Sequence, residues 1–379
     1  MKASGQAVFL YSPKLDAYRY PEDCPFKTSR ARLARSIAVS MDFLSSTNVR
    51  EVAPEPAARE TLAQFHTEEY LGALSAAAKG HHEVGYLHMG LGTDDCPIFP
   101  HMYDYAALAC GATLTAADLI IEGSSESVFN PSGGFHHAGP ATASGFCYLN
   151  DIVLACMRLS RAGLKVMAID LDVHHGEGVQ AAFYERRDVL YLSFHETGKH
   201  LFPGTGFENE IGKGDGTGYT VNVPLPMGTY DEAYLSAFSE IAVPLLHAYN
   251  PDAIVLELGM DALAGDPLAD LELTNNAYAA MVEKIVDAGK PVLATGGGGY
   301  HIQNTARGWA LMWQILSGGT AVDPAALGVG GVLLENTEWS GGLRDRQRAP
   351  TVKQKQIIEP QVAATVAAIR RTVFPYHGL

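Results

Sequence analysis

Short apolar runs rich in β-branched residues recur along the chain at 7–11 (AVFLY), 127–130 (SVFN), 165–170 (KVMAID), 189–193 (VLYLS), 253–258 (AIVLEL) and 291–296 (PVLATG). Each is bounded by polar or glycine-rich sequence, and each predicts a strand. Between them apolar residues recur at helical spacing over 28–45, 103–122, 148–162, 230–248, 273–288 and 303–316. This alternation predicts an α/β fold, a mostly parallel central sheet with helices on both faces. A last helix is predicted over 359–371, packed on the outside. No linker, composition shift or repeat divides the chain. We therefore place one domain over 1–379, with a core at about 7–318 and a C-terminal extension, 319–379, that ends in that helix.

In such folds function gathers beyond the carboxyl ends of the strands. Five strand ends here open into segments crowded with His, Asp, Tyr or Gly: PSGGFHHAGPATASGFCYLND, LDVHHGEG, FHETGKHLFPGTG, GMDALAGD and GGGGYH. Their convergence on one pocket is the first argument for an enzyme.

In an extended 166–174 segment, Met167, Ile169, Leu171 and Val173 share one face, and Asp170, Asp172 and His174 share the other. The polar set is half of a metal site, or else the two aspartates cap a helix starting near Glu177. Burying two carboxylates without a cation is costly. Asp261, just past a buried strand, supplies a third ligand, leaving an open position; Asp266, before a proline, reads as a turn residue. The set Asp172, His174 and Asp261 is oxygen-rich, so manganese or iron suits it as well as zinc.

His136 and His137 stand side by side in a glycine-flanked loop. They are either solvated or a general acid–base pair, with Asp170 and Glu177 as the carboxylates available to orient them. The GGGGYH run lacks the pattern of a phosphate loop or dinucleotide fingerprint. Its glycines are expected to let the backbone approach a substrate closely. Tyr300 is then an oxyanion donor or a core tyrosine. An open metal, a histidine pair and a tyrosine suit metal-assisted amide hydrolysis, and no nucleophile elbow is present.

Composition adds limits. The net charge of -15 and the lack of a basic run argue against direct nucleic-acid binding. No run approaches the ~18 apolar residues of a membrane helix, and the apolar run at the N-terminus is too short for a signal peptide. Five scattered cysteines without CxxC pairing read as reduced thiols in a cytoplasmic protein. The pattern specifies no oligomeric state.

From about Tyr11 to about Trp313 the chain resembles the zinc-dependent histone deacetylases of the arginase–deacetylase fold. The resemblance rests on FHTEEYL (65–71), DCPIFP (95–100), HHA, ASGFCYLND (143–151), DLDVHHGEG (170–178), FPGTG (202–206), YTVNVPL (219–225), GMDALAGDPL (259–268) and GGGGYHIQNTARGW (296–309). It is nearest to the class I enzymes and the bacterial acetoin-utilisation type, and it implies a sheet of about eight strands.

By that resemblance Asp172, His174 and Asp261 match the zinc ligands, with iron(II) also suited to them. His137 matches the base that activates metal-bound water and protonates the leaving amine, and His136 its electrostatic partner paired to Asp170. Tyr300 matches the group that polarises the acyl carbonyl. Phe146, Phe202 and Gly145 match the acyl-lysine tunnel, Asp95 the rim carboxylate, and Arg30 an internal-channel arginine. A structural potassium ion is implied at Asp170, Asp172, His174, Ser193 and Phe194, and a second at Phe183, Arg186, Val189 and Tyr219, largely through backbone carbonyls. Glu177 stands where the family usually has Asp or Asn. Phe135 replaces a bulkier aromatic, and Leu268 sits where polyamine deacetylases carry a glutamate. His175 has no role in this reading.

The leading expectation is hydrolysis of acetyl-lysine, or another short acyl-lysine, in proteins or peptides, releasing the acid. The alternatives are an acetylpolyamine or other small-molecule amidohydrolase, a binuclear ureohydrolase, and a non-catalytic acyl-lysine reader. The 259–262 segment offers only Asp261, one carboxylate too few for a binuclear site. A reader would usually have lost a ligand or the tyrosine.

Overall fold

Eight strands lie side by side in the order β2-β1-β3-β8-β7-β4-β5-β6, all parallel. They are β1 Gln6–Leu10, β2 Val49–Val52, β3 Ser125–Asn130, β4 Val166–Asp170, β5 Val189–Glu196, β6 Thr220–Leu225, β7 Ala253–Glu257 and β8 Val292–Thr295. The helices are α1 Pro13–Ala17, α2 Ser29–Ser40, α3 Arg59–Leu62, α4 Glu68–Ala77, α5 Met102–Ile121, α6 Asp151–Arg161, α7 Glu177–Phe183, α8 Asp231–Tyr249, α9 Asn275–Asp287 and α10 Ile302–Leu316, with a C-terminal helix over Val352–Thr372. The computed structural model describes residues 6–319 and 342–379. The rest of the predicted extension, 320–341, lies outside the described residues.

Strands β4, β7 and β8 are buried along their whole length, as parallel strands covered on both faces must be. That is why they read as unbroken apolar runs. Helices α5, α6 and α7 cover one face, where Val128, Ala168 and Val255 meet Ala112, Ala116 and Ile152. Helices α2, α8, α9, α10 and the C-terminal helix cover the other, against Phe129, Ile169 and Leu256.

Two strands escaped the sequence pattern, and both are edges. β2 has four residues, and its Glu51 pairs with Arg35 at the surface. β6 carries Pro224, which an edge strand tolerates because one side of its backbone needs no partner. The predicted helix at 148–162 starts later because Asn150 caps it, its side chain accepting the Val153 N–H at 3.0 Å. The predicted 359–371 helix starts earlier, at a capping box of Thr351 and Gln354, and runs through Pro360. It packs on α8 and β6. Contrary to the sequence expectation, α5 is long and apolar enough to span a membrane; most of it is buried. One side of α5 packs on the sheet and the other under a second cluster of aromatic residues, which accounts for its apolarity.

A polar row crosses the sheet at or near the strand ends. Asn130, Thr295, Glu257, Asp170, Ser193 and Asn222 are register neighbours across six strands. Registered side chains of parallel strands point to one face, and each of these six is at most 2% exposed. On β3, β4, β7 and β8 the functional loops begin directly after this row, and β5 and β6 run on past it.

Trp309 of α10 holds the two layers together there: it is 1% exposed and its indole N–H donates to Leu258 O at 2.7 Å. Trp309→Ala should cost about 3–5 kcal/mol, read as a lowered urea midpoint. A loss below about 1 kcal/mol would contradict this packing role.

Candidate active site

Asp172 and His174 follow β4, and Asp261 follows β7, the strand beside it. His174 Nδ1 lies 3.1 Å from Asp172 Oδ1 and 3.1 Å from Asp261 Oδ2. The three donor atoms lie within 4.8 Å of one another. Backbone amides hold the carboxylates in place: His174 N donates to Asp172 Oδ1 at 2.9 Å, Gly298 N to Asp172 Oδ2 at 2.7 Å, and Val173 N to Asp261 Oδ1 at 2.9 Å. Neither Asp170 nor Asp172 caps α7, whose N-cap is Gly176 with no side-chain bond. The helix-capping alternative therefore falls away.

Burial alone would lower the His174 pKa, yet Asp172 and Asp261 raise it to about 10. Burial, and then Asp172, push Asp261 up to about 7. Against its burial, Asp172 is held well below the usual carboxylate range by His136 and His174. The corner thus draws a proton onto a buried imidazole. One nitrogen and two carboxylates closing on one point fit a divalent cation with an open coordination position.

The glycine run packs on these ligands, which corrects the expectation that it makes room for substrate. A Cβ on Gly298 would sit 1.9 Å from Asp261 Oδ2, and one on Gly297 (φ +156°) would sit 1.6 Å from Glu257 Oε1. Tyr300 follows at once. Its ring centroid is 5.7 Å from Phe146 and 6.3 Å from His174. Burial and the nearby Asp261 and Asp172 push its hydroxyl well above the ordinary range, so it keeps its proton.

Asp266 makes the expected turn, accepting the Leu268 N–H at 3.0 Å, but its other oxygen accepts the Tyr300 N–H at 2.7 Å and the His301 N–H at 3.3 Å. It thereby fixes the backbone of Tyr300. Nothing local in the sequence marked this long-range contact.

His136 Nδ1 lies 2.9 Å from Asp170 Oδ2, which also accepts the Tyr191 hydroxyl at 2.7 Å. His137 Nδ1 lies 2.5 Å from Glu177 Oε2, and the other Glu177 oxygen accepts the Ser144 hydroxyl at 3.1 Å. The two Nε2 atoms are 2.9 Å apart, within hydrogen-bond distance of each other. Their environments drive the rings apart. For His136, burial is outweighed by Asp170 and Asp172, which raise its pKa to about 9. For His137, burial prevails over Glu177 and lowers the pKa, with His136 adding to the effect. One ring is charged, and its neighbour is a neutral base whose acceptor is Nε2.

The loop bearing these rings hangs on Asp151, which accepts Gly134 N–H at 3.1 Å, Phe135 N–H at 2.8 Å and the Thr113 hydroxyl at 2.6 Å. In sequence Asp151 looks like an ordinary acid at a helix start, so this anchor went unread. Glu257 was also missed. Its Oε2 accepts the Gly259 N–H at 2.9 Å, while Oε1 has no partner among the described residues. It clusters with His136 and Asp170. Burial, then Asp172 and Asp170, push the Glu257 carboxyl well above its usual range, leaving a neutral acid.

Gly145 (φ +52°) and Phe146 (φ +64°) turn sharply. Asp95 holds that turn: its Oδ2 accepts the Gly145 N–H at 2.8 Å and its backbone oxygen the Phe146 N–H at 3.0 Å. Phe202 is 44% exposed and stands edge-on to His137, ring centroids 5.0 Å apart. Phe146 and Phe202 thus flank the approach to the histidines and Tyr300, and Leu268 is half-buried beyond Asp266. Phe135 is buried against Phe26 and Tyr105. Buried Arg30 donates to Gly299 O at 2.7 Å and stacks on Phe26 and Trp309, directly behind the glycine run.

Of the positions assigned to the cations, Ser193 Oγ lies 2.7 Å from His195 Nδ1 and shares the polar row with Asp170. Phe194 is buried in β5. Phe183, Val189 and Tyr219 lie around the start of β5, where Tyr219 O accepts the Tyr191 N–H at 2.9 Å. The Arg186 guanidinium pairs with Asp188, leaving that residue's carbonyl for any ligand role.

A buried metal corner, a neutral base and a tyrosine donor beneath an aromatic-flanked approach define a metal-dependent amide hydrolase. Comparison with known proteins names the family. A model of the histone deacetylase domain matches residues 24–316. The chain is 36% identical over 315 residues to histone deacetylase RPD3 of Saccharomyces cerevisiae, covering 82% of this chain and 72% of that protein. It is 37% identical over 328 residues to the acetoin utilization protein AcuC of Bacillus subtilis, covering 84% and 83%. Among solved structures, an HDAC homologue from Aquifex aeolicus superposes with a TM-score of 0.86 at 30% identity, covering 96% of this chain and all of that one. An HDAC homologue complexed with SAHA matches with the same TM-score and identity over 97% of this chain. The chain belongs to the histone deacetylase family, has the arginase–deacetylase fold, and is a metal-dependent deacetylase.

A metal-ligating imidazole must be neutral, whereas His174 in the metal-free site stays protonated up to about pH 10. Binding of zinc to chelator-stripped protein at pH 7 should therefore release at least one proton, and affinity should weaken as pH falls. Calorimetry in two buffers of different ionisation enthalpy measures the release; identical heats in both would contradict it.

Proposed function

We propose that the protein hydrolyses the amide of N-ε-acetyl-lysine, or another short acyl-lysine, in peptides and proteins, with zinc held by Asp172, His174 and Asp261. The observation that carries this reading is His137, kept neutral by burial, whose ring centroid lies 5.9 Å from that of the metal-corner residue His174 and 5.0 Å from that of Phe202. Bound zinc supplies a Lewis acid for the acyl carbonyl and makes water more acidic; iron(II) suits the same donors.

His137 Nε2 takes a proton from the attacking water, and Glu177 on Nδ1 fixes the tautomer that allows this. Charged His136, held by Asp170, offsets the negative charge that develops nearby. The Tyr300 hydroxyl donates to the acyl oxygen as it becomes anionic. His137 then returns its proton to the lysine amine as the C–N bond breaks, leaving acetate and free lysine. The neutral acyl-lysine stem suits two flanking aromatic rings. Asp95 at the rim and the net charge of -15 suit a lysine-rich substrate. Nucleic acid and membrane are not partners in this reading.

We assign potassium to Asp170, Asp172, His174, Ser193 and Phe194, and a second ion to Phe183, Arg186, Val189 and Tyr219. Their carbonyls retain a lone pair beyond the backbone bonds they make. Five buried, unpaired cysteines support a reducing, cytoplasmic setting.

A panel of acyl-lysine peptides and acetylputrescine, with and without chelator, tests the assignment. Acetyl-lysine peptide should be cleaved and chelator should abolish turnover; faster cleavage of acetylputrescine would assign the small-molecule activity instead. Tyr300→Phe should lower kcat about 10²–10³-fold and His137→Ala about 10²–10⁴-fold, and full activity in either sinks the mechanism.

Because His137 must be neutral and its pKa lies below 6.5, kcat/KM should fall on an acid limb below that pH. Glu177→Gln removes a charge that raises the His137 pKa, so the limb should move to lower pH while kcat falls. A limb left in place would show that His137 is not the titrating base.

A further inference from the structure

Deepening the deacylase reading, we propose that His175, Gln180 and Glu210 form a polar strap that fixes the Phe202 wall and so sets which acyl-lysine side chains enter the site. Phe202 stands in the segment 197–210, which contains neither strand nor helix. Such a segment keeps one shape only where its backbone is tied down.

The ties lie just after the wall. Glu210 accepts N–H bonds from Gly206 at 3.3 Å and Phe207 at 3.1 Å, and from Gln180 Nε2 at 2.7 Å. Gln180 Oε1 accepts Asn222 Nδ2 at 2.7 Å and lies 3.1 Å from His175 Nε2. His175 Nδ1 lies 2.9 Å from Thr205 Oγ1. Only one polarity satisfies the chain. A carboxylate is acceptor only, so Gln180 donates to Glu210 with its NH2 and accepts from His175 Nε2–H with its oxygen. His175 Nδ1 is then an acceptor, and the Thr205 hydroxyl donates to it.

Gly206 (φ +82°) lies flat on this strap. A Cβ there would sit 2.5 Å from His195 Nε2 and 2.6 Å from His175 Cγ, and Gly206 O lies 2.8 Å from His195 Nε2. The strap thus ties residues 205–210 to α7, β5 and β6, starting three residues from Phe202. His175, His195 and Asn222 are at most 1% exposed, and none touches the reacting groups in the mechanism above. A largely buried, cross-linked network of this kind restricts the segment to one geometry.

The test uses the full chain loaded with zinc and compares wild type, Thr205→Val, Thr205→Ser and Gln180→Glu. Valine keeps the shape of threonine without its hydroxyl, and glutamate keeps the shape of glutamine without its donor. Both should raise KM for an acetyl-lysine peptide about tenfold, as for one lost buried hydrogen bond, with kcat within about twofold. Both should also change the ratio of acetyl- to butyryl-lysine turnover and speed amide exchange across 199–207. Thr205→Ser should restore the wild-type values. Unchanged KM and acyl ratio, or a fall in kcat at constant KM, overturns the strap. An inactive wild type instead overturns the deacylase reading, and acyl selection with it.

Discussion

Charge burial governs this structure. Asp170, Asp172, Glu257 and Asp261 lie at or just past the ends of two adjacent strands, each at most 2% exposed. An unpaired buried charge costs several kcal/mol even after the protein relaxes. The molecule answers each one differently. Asp170 is paired with charged His136 and with Tyr191, and Glu257 stays neutral. Asp172 and Asp261 converge on His174, one nitrogen and two carboxylates placed to share a divalent cation.

Much of the surrounding architecture serves that arrangement. The glycine run is glycine because its backbone lies against the carboxylates, and it delivers Tyr300 beside the metal corner in the same stroke. Asp266 and Asp151 each spend a buried carboxylate on backbone amides, one steadying Tyr300 and the other the histidine loop. The His175 strap does for the aromatic wall what Asp266 does for the tyrosine. The opposite pKa shifts of His136 and His137 follow from burial and from which carboxylates each ring faces, which makes one electrostatic partner and one base out of two identical side chains.

The sequence exposed what local pattern encodes. Six strands were legible because parallel strands covered on both faces are largely apolar up to the polar row at their ends. The metal ligands and His137 were legible because ionisable residues at the ends of such strands have no apolar reason to exist. β2 and β6 were not legible, since edge strands carry charge and proline. Asp266, Asp151 and Glu257 were not either, because each acts on partners distant in sequence or invisible without the register. His175 gained its contacts only once Thr205 and Gln180 were placed beside it in space.

X-ray absorption at the zinc edge of the metal-loaded protein tests the central claim most directly. The account predicts one metal per chain with nitrogen and oxygen scatterers only, at about 2.0–2.2 Å, and loss of that signal in His174→Ala. A sulfur scatterer at about 2.3 Å, or an unchanged spectrum in the variant, would contradict it.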